Sequence, residues 1–273
     1  MKKPICISVY VFGHYTPYIP YYVYSILKSY PNYFVKIFVM DRLSTKENAC
    51  MDMIKKNLST NFEIKENYFP YGSFKDGKNG KPLRFLIPET EFSEFEHVYI
   101  GDVDFLIVKE TPSLLEEHVE HCEKIGLPYS NQIRPNSERL TGLHFFKADD
   151  YYKKMNPIID YYSHHLDEVY SFMKRHRTDE KFLYHIIENG IGFGKINQFS
   201  YRPHHGFHLG ILRMNGFDNY VKDGQNNPFH RLPSYPVLKK QLLEFFHDPL
   251  FQKISRTNPI KEIIMLKKKL QKF

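Results

Sequence analysis

Short apolar runs alternate with longer amphipathic segments along the first part of the chain. The runs ICISVYVF at 5–12 and YFVKIFVMD at 33–41 are dense in β-branched and aromatic residues, which is typical of strands. The segment at 18–30 has the pattern of a helix. Another helix is expected to begin near Ser44, since Glu47 follows three residues later as in a capping box. This alternation predicts an α/β fold with a mostly parallel, doubly wound sheet flanked by helices.

Two aspartates interrupt the apolar stretch HVYIGDVDFLIVK at 97–109. The residues around Asp102 and Asp104 have the density of a strand that is covered on both faces. A buried carboxylate is costly unless it is paired, hydrogen-bonded or bound to a metal, so a solvated turn fits this setting poorly. In doubly wound sheets, ligands bind beyond the carboxyl ends of the strands. We therefore interpret the two aspartates as part of a functional site.

Composition and cysteine content limit the class of protein. With 273 residues, 42% hydrophobic and 25% charged, the chain is long enough to bury a sizeable core. Cys6, Cys50 and Cys122 form no C-x-x-C pair, so neither a disulfide scaffold nor a zinc ribbon is indicated. No stretch approaches the roughly 18 consecutive apolar residues of a membrane-spanning helix. We expect a cytoplasmic protein.

The net charge of +7 is concentrated in particular segments. Lysines gather at 72–82, a segment that is either a plain connection or a loop that attracts phosphate. They gather again at 258–273, where Ile260, Ile263, Ile264 and Leu270 are expected to share one face of a helix. That helix could lie on an anionic membrane at its inner face or pack on the domain. No motif for nucleic-acid binding accompanies the charge.

A cluster of histidines supplies further candidate ligands. Of the 14 histidines, His204, His205 and His208 fall within the loop segment RPHHGFHLG. Carboxylate oxygens from Asp102 and Asp104 together with one imidazole make an oxygen-rich site with open positions. Such a donor set suits Mn²⁺ or Mg²⁺ holding a diphosphate better than it suits tetrahedral zinc. The spacing leaves open which histidine binds the ion.

Four further segments complete a recognisable set of landmarks. They are FGHYTPY at 12–18, KPLRFLIPE at 81–89, RLTGLHFF at 139–146 and RTDEKFLYHII at 177–187. In this order, with the Asp-x-Asp after an apolar strand, they resemble the GT-A nucleotide-sugar glycosyltransferases. The likeness is greatest to the group of glycogenin and the bacterial lipooligosaccharide galactosyltransferases.

The resemblance implies a GT-A-like catalytic domain at 1–250, followed by a basic helical tail at 251–273. It implies transfer of a hexose from a UDP-sugar to a glycan or glycolipid acceptor, in surface polysaccharide or lipopolysaccharide synthesis. The metal ligands would be Asp102, Asp104 and His205. The donor-binding residues would be Phe12, Gly13, Tyr15, Arg84, Asp102, Thr141, Gly142, His208 and Arg213.

The resemblance also identifies candidate catalytic groups at the start of a helix. Asp179 and Glu180 would orient the donor sugar or acceptor, and Glu180 would act as general base or nucleophile. A carboxylate stands where retaining relatives carry an amide, which leaves the choice between retention and inversion open. Two other classes of protein remain: a metal-dependent phosphoesterase with the same ligands, and a non-catalytic carbohydrate-binding protein. The latter would explain the aromatic residues but not the carboxylates at a strand end.

Overall fold

The computed structural model describes residues 2–69, 74, 79–197, 199–214, 216–222 and 225–272. The lysine-rich segment 72–82 lies outside the described residues except at 74 and 79–82. The strands are β1 (Lys3–Val11), β2 (Phe34–Val39), β3 (Phe62–Lys65), β4 (Phe95–Ile100), β5 (Phe105–Leu106), β6 (Tyr129–Ser130), β7 (His144–Lys147), β8 (Phe207–His208), β9 (Tyr220–Lys222) and β10 (Gln225–Asn227). The α-helices are α1 (Ile19–Ser29), α2 (Thr45–Asn57), α3 (Leu114–Ile125), α4 (Ala148–His164), α5 (Leu166–His176), α6 (Asp179–Asn189), α7 (Tyr235–His247), α8 (Pro249–Thr257) and α9 (Lys261–Lys272).

The central sheet has the strand order β3-β2-β1-β4-β7-β6 within the described residues. Strands β3, β2, β1 and β4 run parallel to one another, whereas β7 is antiparallel to both of its neighbours, β4 and β6. The predicted α/β class with a mostly parallel sheet is therefore confirmed. The first four sheet strands are separated by helices or long connections, which parallel pairing requires.

Both faces of the sheet are covered, as the apolar character of β1 predicts. Alternate residues of a strand point to opposite faces. Ile7 and Val9 face a core that also contains side chains of α1, α7, α8 and α9. Cys6 and Tyr10 face a second core, which includes side chains of α4 and α6. Since β1 is buried on both faces from Ile5 to Val11, a ligand can contact it only at the ends of the strand.

The start of α2 follows the predicted capping box. The Ser44 hydroxyl accepts a hydrogen bond from the Glu47 amide, and the Glu47 carboxylate accepts one from the Ser44 amide at 2.6 Å. The same arrangement between Ser113 and Glu116 begins α3. These local signals fix helix starts because they satisfy amides that lack partners within the helix.

The C-terminal segment is part of the domain core. Ile260, Ile263, Leu266 and Leu270 are buried in the same core as β1. The boundary suggested at residue 250 falls inside α8. The apolar face that would have to enter a membrane is occupied by the protein's own core. Ile264, expected on that face, is instead 53% exposed, because successive residues of a helix point about 100° apart. No α-helix in the described part of the chain is long and apolar enough to cross a bilayer.

Candidate active site

A cavity of about 220 Å³ lies where β1 and β4 end. The two strands pair in parallel, so their carboxyl ends lie side by side. The chain then leaves β1 at Phe12 and β4 at Gly101, and both connections contribute walls. This is the edge at which doubly wound sheets bind ligands. The lining residues are Tyr10, Val11, Phe12, Tyr15, Lys81, Arg84, Gly101, Asp102, Val103, Asp104, His208 and Arg213.

The Arg84 guanidinium bridges two carboxylates, those of Asp102 and Asp179. Arg84 donates from Nη1 to Asp102 and to the Gly101 carbonyl oxygen, the latter at 3.1 Å. Its Nη2 donates to Asp179, which is buried at the start of α6. Burial raises the pKa of Asp102, but the charge of Arg84 outweighs it and the net pKa lies below its usual value. The Asp102 carboxylate that lines the cavity is therefore ionised.

Asp104 is held between two cationic side chains. Its Oδ1 lies 3.2 Å from Nε2 of His208, and its Oδ2 lies 2.5 Å from Nη2 of Arg213. The antiparallel pairing of β5 with β8 sets this contact, since Phe105 pairs with His208 and their rings stack at 4.6 Å. Burial lowers the pKa of His208, but the hydrogen bond to Asp104 prevails and the pKa is raised. The contact thus favours the imidazolium form.

Gly210 lies at the point where these side chains converge. A Cβ atom placed there would be 2.5 Å from Nε2 of His208, 2.7 Å from Nη2 of Arg213 and 2.8 Å from Oδ2 of Asp104. Such distances are shorter than carbon normally tolerates. A side chain at this position would therefore make the ends of these three side chains move apart.

Tyr15 forms the aromatic wall of the cavity. Gly13 adopts a left-handed φ of 59°, which lets the chain turn from β1 into a 3-10 helix at Gly13–Tyr18. The turn places Tyr15 beside the guanidinium of Arg213, 5.5 Å from the ring centroid. The half-buried ring is available for a planar ligand to stack on.

His205 lies away from the aspartate pair, contrary to the expectation that it binds the metal. Its Nε2 is 3.0 Å from Oε2 of Glu117, and its Nδ1 is 3.7 Å from Oε2 of Glu110. Gly206, with a left-handed φ of 71°, follows it and donates its amide to Glu110 at 2.8 Å. The turn at Gly206 separates the directions of the two histidines, so that His208 is the imidazole beside Asp104.

Glu180 is also directed away from the described cavity lining. Arg134 binds its Oε1, and Arg139 lies 3.6 Å from its Oε2. Successive residues of a helix point about 100° apart, so Asp179 and Glu180 cannot face the same partner. The structure therefore divides the predicted catalytic pair: Asp179 contacts Arg84, and Glu180 contacts arginines on the other side.

Thr141 and Gly142 are not among the cavity-lining residues but pack against residues next to the cavity. The Thr141 hydroxyl donates to Oδ1 of Asn131 at 2.7 Å and accepts from Nε of Arg202 at 2.8 Å, so its hydrogen bonds are made within the protein. A Cβ atom at Gly142 would collide with Nη2 of Arg84. Gly142 is thus a close-packing position for the arginine that bridges the carboxylates.

The side chains around the cavity match the donor chemistry of a hard divalent cation. Asp102, Asp104 and His208 offer two carboxylates and one imidazole, a set that Mn²⁺ accepts. Arg84 and Arg213 balance the carboxylate charges in the structure. Across the described ranges, no group of three or more His, Cys, Asp or Glu side chains is already arranged to hold an ion. An ion would therefore need additional ligands such as phosphate oxygens, as is usual for Mg²⁺.

Comparison with known proteins gives similarity in structure only. No family model matches the chain, and no curated protein matches it significantly in sequence. It is similar to the galactosyltransferase LgtC in complex with donor and acceptor sugar analogs, with 14% identity, a TM-score of 0.40, and coverage of 68% of this chain and 71% of that one. The glycosyltransferase GlyE of Streptococcus pneumoniae TIGR4 is 9% identical, with a TM-score of 0.49 and coverage of 98% and 64%.

A third similar structure is the bifunctional glycosyltransferase WbbM, with 10% identity, a TM-score of 0.41, and coverage of 94% of this chain and 52% of that one. All three are glycosyltransferases by name, the class that the sequence motifs resemble. The chain spans less than two thirds of the length of GlyE and about half of WbbM. At such low identity the chemistry of this protein has to follow from its own site residues.

Proposed function

We propose that the protein is a glycosyltransferase that transfers a hexose from a UDP-sugar to a glycan or glycolipid acceptor. The observation that supports this most strongly is the grouping of three kinds of side chain around one cavity at the strand ends. They are an aromatic ring, a pair of carboxylates and a set of cations: Tyr15, Asp102, Asp104, Lys81, Arg84 and Arg213.

The cavity wall built on β1 suits the nucleoside half of the donor. Tyr15 offers a half-buried ring on which a uracil base can stack. Phe12 and Gly13 shape the adjoining turn, and Gly13 has no side chain to obstruct a ligand. Lys81 and Arg213 line the same cavity and supply positive charge for the diphosphate.

The carboxylate pair supports metal-dependent chemistry. We propose that Asp102, Asp104 and His208 hold Mn²⁺ or Mg²⁺ together with the phosphate oxygens of the donor, and that His208 gives up its proton to solvent when the ion binds. When bound, the ion would stabilise the negative charge of the departing nucleoside diphosphate. Arg84 contributes by keeping Asp102 ionised at the cavity wall. Arg213 adds a fixed positive charge beside Asp104.

The contacts of Asp179 and Glu180 support a separate role for each of these α6 carboxylates. Asp179 is buried against Arg84, so we propose that it positions this arginine. Glu180 is held by Arg134 and would have to leave it before acting as a base or nucleophile. Either role for Glu180 requires a movement on donor or acceptor binding, and the stereochemical course depends on which role applies.

The basic C-terminal helices favour an acceptor at an anionic surface. Residues 249–273 contain seven Lys and Arg residues and one acid, Glu262, a net +6 against +7 for the whole chain. Lys261, Lys267 and Lys268 are exposed, whereas Glu262 is buried. We propose peripheral contact with the inner face of a membrane through charge rather than insertion, since the apolar face of α9 is in the core. A glycolipid acceptor in surface polysaccharide or lipopolysaccharide synthesis fits this placement.

A turnover panel tests the proposed function. The purified protein is incubated with UDP-hexoses, with and without Mn²⁺, and release of UDP is measured beside hydrolysis of a simple phosphodiester. Mn²⁺-dependent release of UDP from a UDP-hexose is expected, with no phosphodiester cleavage. Phosphodiester cleavage would instead indicate a phosphoesterase. Sugar binding without UDP release or nucleotide affinity would indicate a carbohydrate-binding protein.

A further inference from the structure

The C-terminal helix α9 reaches the donor cavity through one buried acid. Glu262 is 7% exposed, and its Oε1 lies 3.7 Å from Nη1 of Arg213. The same Nη1 donates a hydrogen bond to the Tyr18 hydroxyl at 3.1 Å. Arg213 therefore lies between two carboxylates, Asp104 in the cavity and Glu262 behind it.

The position of Glu262 is fixed by contacts at the start of α9. Asn258 donates from its side-chain amide to the Pro17 carbonyl at 2.7 Å, and its own carbonyl accepts from the Tyr21 hydroxyl at 2.6 Å. Both partners belong to the segment that carries Tyr15. Further along α9, Lys269 lies 3.2 Å from Asp218, just beyond the loop that carries Arg213. The helix thus joins the two chain segments that form the nucleotide side of the cavity.

The charges give Glu262 a function beyond packing. Burying a carboxylate is unfavourable unless a cation compensates it, and the ion pair that the structure describes for Glu262 is with Arg213. Asp104, the other partner of Arg213, is a carboxylate that the proposed donor complex would use. A second anion behind Arg213 keeps the guanidinium in place when Asp104 acquires a new partner. Arg213 then stays directed toward the diphosphate.

We propose that Glu262, acting with Tyr18, is a positioning residue that holds Arg213 toward the diphosphate of the donor. This inference rests on the proposed function and assigns to the C-terminal helix a role in donor binding. It concerns affinity for the phosphates more than for the base, because Nη2 of Arg213 is paired with Asp104 in the cavity, although its Cζ also lies over the Tyr15 ring at 5.5 Å from the centroid.

Calorimetric titration of the full chain with UDP and with uridine, each with Mn²⁺, tests this role. Glu262→Gln keeps the shape of the side chain and removes its charge. We expect it to weaken UDP binding about fivefold, the size expected when a partly exposed cation loses a charged neighbour. Uridine binding should stay unchanged because uridine lacks phosphates. Glu262→Asp should restore part of the affinity, and Glu244→Gln, the same change at an exposed position of α7, serves as the matched control.

A double-mutant cycle shows whether Glu262 acts through Arg213. In an Arg213→Gln background, Glu262→Gln should have no further effect on UDP affinity. An equal loss in both backgrounds, or an equal loss for UDP and uridine, would overturn the inference and leave only a structural role. If Glu262→Gln does not fold, Tyr18→Phe removes the hydroxyl link and should weaken UDP selectively; unchanged UDP affinity in that variant would overturn the inference.

The outcomes separate this inference from the proposed function. If wild-type protein binds UDP and Glu262→Gln binds it equally well, the inference fails while the proposed function stands. If wild-type protein binds neither UDP nor any other nucleoside diphosphate, the proposed function fails and the inference fails with it.

Discussion

Nε2 of His208 lies 3.2 Å from Oδ1 of Asp104, while His205, three residues earlier, is buried against Glu117. The two histidines therefore predict different phenotypes. His208→Ala should weaken Mn²⁺-dependent UDP binding about tenfold or more, because it removes a metal or phosphate contact from the cavity. His205→Ala should lower the melting temperature and leave UDP affinity nearly unchanged. Titration calorimetry and thermal unfolding of both variants check this, and equal effects on UDP affinity would contradict it.

The pair of His205 with Glu110 and Glu117 predicts how stability depends on pH. Burial lowers the pKa of His205, but the nearby carboxylates of Glu110 and Glu117 prevail, and the folded-state pKa lies above its usual value of 6.5. A raised histidine pKa contributes stability that is fully present below about pH 6.5 and is lost as pH rises through the folded value. Wild-type protein should therefore lose stability relative to His205→Gln as pH rises from about 6 to 9.

Chemical unfolding of the two proteins across this pH range provides the measurement. Both contain the other histidines, so the difference between their unfolding free energies isolates His205. A difference that does not change with pH would show that the pKa of His205 is the same in the folded and the unfolded protein, which would contradict the prediction.

Adding even a methyl group at Gly210 should weaken UDP binding. Gly210→Ala would place a methyl group within 2.8 Å of His208, Arg213 and Asp104, which have to separate to admit it. Overpacking of this kind costs about 1–3 kcal/mol, and UDP affinity should fall by about tenfold or more. Met214→Ala, at an 85% exposed position of the same loop, is the control and should bind UDP normally. Normal binding by Gly210→Ala would mean that the three side chains need not converge.

The C-terminal helix should behave as part of the core. Leu266 is fully buried, so Leu266→Ala should lower the unfolding free energy by about 2–5 kcal/mol. Ile264→Ala on the exposed side of the same helix should change it by less than about 0.5 kcal/mol. Urea unfolding of the two variants measures both values. A stable Leu266→Ala variant would indicate a detachable tail.

Membrane contact should depend on charge alone. Replacing the exposed Lys267 and Lys268 with glutamine should reduce binding to phosphatidylserine vesicles by about 1 kcal/mol per lysine, with screening by salt. Ile264→Ser should have little effect if no apolar group inserts. Co-sedimentation at low and high salt gives the result. Salt-resistant binding, or binding that depends on Ile264, would contradict a purely electrostatic contact.

Local signals were sufficient for most of the fold. The capping box at Ser44 and the apolar alternation of β1 act between near neighbours, and the structure agrees with both. The position of Asp102 at a strand end was predictable because parallel strands bring their carboxyl ends together. Such features need no knowledge of distant contacts.

The remaining site contacts depend on tertiary packing. The turn at Gly206 and the pairing of β8 with β5 determine that His208, and not His205, lies beside Asp104. The spacing of the histidines in the sequence does not reveal this. Glu262 was part of a predicted tail, and only the packing of α9 brings it within 3.7 Å of Arg213. The charged and apolar pattern of 258–273 indicated an amphipathic helix, but it did not indicate which part of the protein the apolar face packs against.

The most direct test of the central claim is UDP release from a UDP-hexose by wild-type protein and by Asp104→Asn, each with Mn²⁺ and with EDTA. The substitution keeps the size of the side chain and removes the charge that faces His208 and Arg213. We predict Mn²⁺-dependent turnover by the wild-type protein, a loss of about a hundredfold or more in Asp104→Asn, and cooperative thermal unfolding of the variant that shows an intact fold. Equal turnover by the two proteins, or wild-type turnover that persists in EDTA, would contradict a metal-dependent transferase built on this carboxylate pair.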